Sequence, residues 1–334
     1  MTKKESKQSR RRKKLFIAIL MILFTGVLLT TSTYAWFTAN RTVTVENIDV
    51  TVAATNGLQI SVDGKNWKPT ITNADILGAS ATYTAAVNQI PAGTNSAPVS
   101  TIGQIDTATG FINMYEGVIE TSDGQYVLTA TKSTEANGTS GKFVAFDLFF
   151  STTTEAQIYL TNASNVVYSK GPEGLENAAR VAFVPQGNVG AGADASEAQA
   201  LKAGADTSVI FWEPNYDTHT EAAVQNALNT YGKTTTTTGG TALTYVGVKA
   251  PIAVSDKIGL ASEDTNYFSA VNPSIKTTKA GISKDAFQSV FKLSPGVTKI
   301  RIYMWIEGQD VDCENNASGG SISYNLQFSM NAKA

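Results

Sequence analysis

Ile322-Ser323-Tyr324-Asn325-Leu326-Gln327-Phe328-Ser329-Met330 puts an apolar side chain at every second position, five in all, with four polar residues between them. Successive side chains of a strand point to opposite faces, so this period of two predicts a strand with one face in a core and the other in water. A one-sided strand of that kind is expected in an antiparallel sheet, because parallel sheets are covered on both faces. Two other runs lack the alternation. Residues 143–150 (FVAFDLFF) are apolar on both faces apart from Asp147, and residues 300–306 (IRIYMWI) are nearly so. Both read as central strands of the core.

The remaining chain fits around these strands. Val43 and Val45 alternate with Thr42 and Thr44, whereas Ile48, Val50 and Val52 alternate with Asp49 and Thr51. The apolar phase changes across Glu46-Asn47, which predicts one extra residue there, a bulge or a bend. Residues 58–62 run into Asp63-Gly64, a strong hairpin signal, and the chain returns through Trp67. Residues 157–160 and 180–184 are shorter strand candidates. The stretch 187–202 is rich in Ala and Gly, with a helix expected around 196–202. Residues 221–231 (EAAVQNALNTY) place Ala223, Val224, Ala227 and Leu228 at helical spacing behind Thr220 as N-cap, and 233–240 is a low-complexity loop. Strands spaced by turns, without the regular helices of βαβ units, predict a mainly β protein: one antiparallel β-sandwich, jelly-roll-like, over residues 36–334, with a partly helical insertion at about 186–285. Two β domains joined near 171–190 is the alternative.

The formal charge of −2 over 334 residues hides an asymmetry: eight of the 26 bases lie in the first fourteen positions. Without residues 1–35 the chain carries 18 bases against 27 acids, a charge of −9 that repels nucleic acid. Residues 15–29 (LFIAILMILFTGVLL) follow the basic run without a charge. As a helix they would span about 22 Å, short of a ~30 Å hydrocarbon core. The segment therefore reads as a signal peptide over 1–35, cut after Thr33-Tyr34-Ala35 to leave Trp36 first, which implies a signal peptidase during export and an extracellular or cell-surface location. If the segment also embeds 30–37 and stays uncut, it becomes the chain's sole contact with a membrane.

Little catalytic chemistry is visible. His219 is the one histidine, near Asp217 and the start of a helix, and reads as a surface residue; no HExxH or Gly-x-Ser-x-Gly is present. A hydrolase is therefore the weakest function class. Cys313 is the one cysteine, which excludes an intramolecular disulfide; it reads as a buried thiol, with a bridge between chains as the alternative. Asp310, Asp312 and Glu314 recur at every second residue, as ligands of a calcium loop begin. An EF-hand would require Gly where Asn315 stands and Glu where Ser321 stands, so the competing reading is a polar loop without a cofactor. Trp67, Trp212 or Tyr216 could stack on sugars if exposed.

The basic run, the apolar segment, Tyr34-Ala35-Trp36-Phe37-Thr38 and the alternating strand behind them resemble the start of TasA/camelysin-type exported surface proteins of Gram-positive bacteria. The acidic residue often found after the aromatic pair is replaced by Ala39-Asn40. The resemblance implies a jelly-roll subunit of biofilm-matrix fibres, with the mature N-terminal segment as a donor strand inserted into the next copy: Thr42, Val43, Val45, Ile48, Val50 and Val52 here. Residues 305–310 (WIEGQD), with Cys313 and Gly319-Gly320, are similar to the endings of uncharacterised exported Firmicutes proteins. The leading expectation is thus a structural protein that self-associates into a homopolymer. A monomeric adhesin or glycan-binding module is the alternative.

Overall fold

The computed structural model describes residues 43–334 except 54–56, 94–95, 123–124, 232–233, 240–243, 257, 259–263 and 315–316. The signal segment, the cut site at Thr33, Ala35 and Trp36, and Thr42 lie outside the described residues. The elements are β1 (Thr44–Val52), β2 (Gln59–Ser61), β3 (Thr70–Ile71), α1 (Asn73–Gly78), β4 (Ile105–Asp106), β5 (Phe111–Ile112), β6 (Met114–Ser122), β7 (Gln125–Ser133) and β8 (Val144–Thr152). They continue with β9 (Ala156–Leu160), β10 (Asn165–Lys170), β11 (Ala179–Val189), α2 (Ala195–Gln199), β12 (Ile210–Pro214) and α3 (Glu221–Tyr231). The chain closes with β13 (Tyr245–Val248), β14 (Phe268–Val271), β15 (Ile275–Thr277), β16 (Gln288–Leu293), β17 (Gly296–Ile306) and β18 (Ser321–Ser329).

Two six-stranded sheets make a β-sandwich. The first runs β16-β9-β18-β1-β3, with β10 also on β18; the second runs β15-β12-β11-β17-β8-β2. Their inner faces share one core: Ile48 and Val50 of β1 and Ile322 to Phe328 of β18 meet Phe146 and Phe150 of β8 and Ile300 to Met304 of β17. At its centre Phe328 packs edge-on against Phe150 at 5.2 Å and lies 6.0 Å from both Phe183 and Phe291.

β18 shows the burial its alternation predicts, with Ile322, Tyr324, Leu326 and Phe328 buried. Its pairings are mixed, however: antiparallel to β10 and β9, but parallel to β1. Alternation records which face is wet, not strand direction, so the parallel partner was not readable. The register shift in β1 falls between Val45 and Asn47, at the change of apolar phase. The outer edge of β1 is short of strand partners: β3 covers Val50 and Thr51, and the Asn73 side chain accepts from Ile48 N at 3.0 Å and donates to the Glu46 carbonyl at 3.4 Å. A side-chain amide thus stands in for a neighbouring strand. At Asp63-Gly64 the chain turns with Gly64 at φ +69° and rejoins β2 through Lys68.

β8 and β17 are apolar on both faces because a further layer covers the second sheet from outside. Val99, Ile112 and Met114 pack there against Phe143, Ala145, Tyr303 and Trp305. This layer comes largely from residues 79–142 and is joined by β13 and β14. Within 186–285, β12 and β15 extend the second sheet itself, α2 spans 195–199 behind an Asp194 capping box, and α3 matches the expected helix with Thr220 Oγ1 accepting from Ala223 N at 3.1 Å. Of its four apolar positions Ala223 and Ala227 are buried, while Leu228 is 49% exposed. Among the described residues no helix is long and apolar enough to cross a membrane.

Truncation at the centre of the aromatic cluster should be costly. Phe328→Ala is expected to lower unfolding stability by about 3–5 kcal/mol in a denaturant titration, whereas Tyr168→Ala, at a residue 38% exposed, should change it by less than about 0.5 kcal/mol.

Candidate functional site

Two networks of buried charge lie on the outer side of the second sheet. The first explains the one polar residue of FVAFDLFF. Asp147 on β8 stands opposite Arg301 on β17 and binds its Nη1 at 2.8 Å, with Lys299 Nζ at 3.1 Å and Tyr83 OH donating at 2.9 Å. Arg301 also pairs with Glu135, which accepts from Tyr303 OH at 2.7 Å. Burial raises the carboxyl of Asp147, but the two cations outweigh it and hold the group below the usual carboxylate range. Two cations meet two carboxylates, and the network is closed.

The second network forms where the β12–α3 and β17–β18 connections meet over the start of β11. Arg180 on β11 is fully enclosed, stacks over the Tyr245 ring at 5.1 Å and shares one guanidinium nitrogen between Glu213 at 2.9 Å and Asp310 at 2.5 Å. Asp310 Oδ1 accepts from Asp312 N at 2.9 Å. Asp312 accepts from Thr220 N at 2.8 Å, at the N-terminus of α3, and binds His219 Nδ1 at 2.7 Å. The loop above passes close because Gly174, at φ +119°, has no side chain; a Cβ there would stand 3.0 Å from Thr220 Cγ2 and 3.7 Å from Asp312 Oδ1.

This geometry corrects the surface reading of His219, which is only 9% exposed. Its partner is Asp312, 93 residues away, and not Asp217, whose carboxylate instead accepts from Lys279 N at 3.0 Å. Of the acidic triplet, Asp310 and Asp312 come together with His219, while Glu314 is buried outside that group. Cys313 is buried, and burial together with Asp310 and Glu307 holds its thiol well above the usual range, protonated and unreactive. The donor-segment residues Val43, Ile48, Val50 and Val52 are buried and Val45 packs against the same core, with β1 seated beside β18. Trp212 is fully buried, its indole N–H donating to Thr277 Oγ1 at 2.9 Å. It forms the back wall of a cavity of about 400 Å³ ringed by Tyr168, Glu176, Asn215 and Lys279, so its faces are not a sugar platform. Nothing in the sequence pointed to Arg180, Glu213 or Glu307. No protein-family model, curated protein or solved structure matches this chain.

Glu307 sits beside the second network with no exposure, accepting from Trp305 Nε1 at 3.0 Å and Gln309 N at 2.9 Å. Burial pushes its carboxyl up to about 7, against the opposing pull of those donors. A folded-state value above the unfolded one means the folded protein binds the proton more tightly. Its contribution is fully present below about 4.5 and is lost as pH rises through about 7. In EDTA-containing buffer, the stability difference between wild type and Glu307→Gln should shift by about 2 kcal/mol between pH 8 and pH 5, in favour of wild type at the lower pH. Parallel pH profiles for the two proteins would refute the assignment.

Proposed function

We propose that this chain is a secreted or cell-surface structural protein, TasA-like, whose copies build a fibre or matrix by exchanging the N-terminal strand. The observation that carries the reading is the parallel pairing of β1 with β18, from Thr44 opposite Ser321 to Val52 opposite Phe328. A strand joined to its partner by a short turn is tied to its own chain by that turn. No short turn joins β1 to β18, its principal partner, which lies some 270 residues on in sequence; the local pairing with β3 covers only Val50 and Thr51. The slot beside β18 accepts the same strand in the same register from its own chain or from a neighbour, which is the condition for strand exchange. The bulge at Glu46 and the Asn73 clamp on the outer edge serve either source equally. In this reading the partners are further copies of the chain, with a signal peptidase acting once during export to free the segment ahead of β1. The aromatic Trp36-Phe37 pair at the expected cut site, with the apolar run before it, supports the extracellular assignment.

Locking β1 in place tests the exchange. Asp49 and Asn325 are register partners, both half-buried at the outer face, and strand neighbours stand close enough for a disulfide. Asp49→Cys combined with Asn325→Cys should remain monomeric by light scattering when oxidised. The same variant refolded under reducing conditions should form filaments by negative-stain microscopy, as this reading expects of the wild type. Filaments from fully oxidised, internally bridged protein would sink the exchange mechanism.

A further inference from the structure

The two sheets leave a gap on one side of the sandwich. Among the described residues β10, on the margin of the first sheet, pairs with β18 alone, and β15, at the end of the second, pairs with β12 alone. The cavity of about 400 Å³ opens between these strands and the connection that follows β12. Its volume falls within the range of small-ligand sites, about 300–1,000 Å³. Asn215, just past β12, shapes it. Its Nδ2 donates to the Val166 carbonyl at 3.2 Å and to the Glu176 carbonyl at 3.0 Å, so one side chain joins both walls. Among the described residues it is the one non-glycine at positive φ, +53°. Backbone held in that region gathers at functional sites.

The polar groups on the cavity wall are incompletely matched within the protein. The Glu176 side chain is only 4% exposed, and its Oε2 accepts from Gly174 N at 2.9 Å. Its Oε1 meets only Lys279 Nζ, at 3.6 Å, beyond hydrogen-bond range. That lysine side chain is 55% exposed. So loose a pairing is unusual, because buried charges are ordinarily paired and hydrogen-bonded. The Asn162 and Thr278 side chains and the Tyr168 hydroxyl, all on the same wall, hydrogen-bond to none of the described residues.

We propose that this cavity binds one neutral pyranose ring, the terminal sugar of a glycan. Charge and hydrogen-bonding capacity select the class. An anion would meet Glu173 and Glu176, and an organic cation would meet Lys279. A sugar hydroxyl donates and accepts at once. One hydroxyl oxygen placed about 2.8 Å from both Glu176 Oε1 and Lys279 Nζ spans their 3.6 Å gap and satisfies each. Further ring hydroxyls would reach Asn162 and Thr278, whose side chains also both donate and accept. Tyr168, 38% exposed, offers its ring to the apolar face of the sugar, a role the enclosed Trp212 does not fill. No residue of β1 lines the cavity, so the site does not depend on strand exchange.

Saturation-transfer NMR on the full chain, with glucose, galactose, mannose and N-acetylglucosamine in turn, should show contact with at least one of them. A single ring of about twelve heavy atoms is expected to bind in the millimolar range. Tyr168→Ala and Lys279→Ala change exposed side chains, and each should weaken that sugar about fivefold or more in a titration. Glucosamine, a cation, and glucuronate, an anion, serve as charge controls and should bind more weakly than the neutral sugar. Folded protein that contacts none of the neutral sugars, at concentrations well above the millimolar range, would overturn the site. So would tighter binding of either charged control, or an affinity unchanged in either variant.

Discussion

A sheet covered on both faces has no wet side, and most of this architecture follows from that constraint. β17 runs between β11 and β8 with both of its faces enclosed, so every polar group it carries must find a partner inside the protein. Arg301 and Lys299 would be prohibitive there without Asp147 and Glu135. Those carboxylates are in turn tolerable because the Tyr83 and Tyr303 hydroxyls donate to them, while the Val87 carbonyl accepts from Arg301 Nη2. The outer layer of residues 79–142 is therefore structural in a strict sense. It excludes water from the second sheet and supplies Tyr83 and Glu135, which make the exclusion bearable. The cation Arg180 answers to the same constraint at the other end of the sheet, with Glu213, Asp310 and the Tyr245 ring around it.

Much of the sandwich was legible because its signals are local. Period-two burial in β18, the change of phase at Glu46-Asn47 and the helix behind Thr220 each occupy a window of about ten residues, where side-chain direction alone sets the pattern. The doubly apolar run around Asp147 correctly marked a central strand, and its one anomaly marked the buried ion pair. What could not be read is non-local. The parallel partner of β1 and the union of His219 with Asp312 across 93 residues leave no trace in any short window. His219 was misread for that reason: a single histidine at a helix start is ordinarily solvated, and only the fold brings a carboxylate under it. The 79–142 layer was missed because β4 and β5 are two residues each, β6 and β7 lack a clean apolar alternation, and much of its core is shared with β8, β17 and β13. The acidic triplet was half legible. Its spacing marked a cluster of carboxylates, but strand-like alternation does not survive the turn at Asp310 to Asp312, so Glu314 parts from the other two.

The proposed exchange of β1 has a thermodynamic consequence. The contacts β1 makes with β18, β3 and Asn73 would be the same within a chain and between chains, so the interface itself favours neither state. The balance then rests on the effective concentration that one chain provides for its own strand, on the order of millimolar. The rate is a different matter. Withdrawing β1 breaks the whole ladder from Thr44 to Val52 and uncovers Ile48, Val50 and Val52 together with the flank of β18. That surface lies at the centre of the shared core, so the barrier approaches that of unfolding the first sheet. A subunit that had already closed on its own β1 would persist as a monomer for kinetic reasons. Assembly is therefore best served before closure, while the chain is newly exported and the slot beside β18 is still open. On this view the timing of the cut that frees the N-terminal segment, more than the strength of the strand pairing, sets how much of the protein ends in fibres.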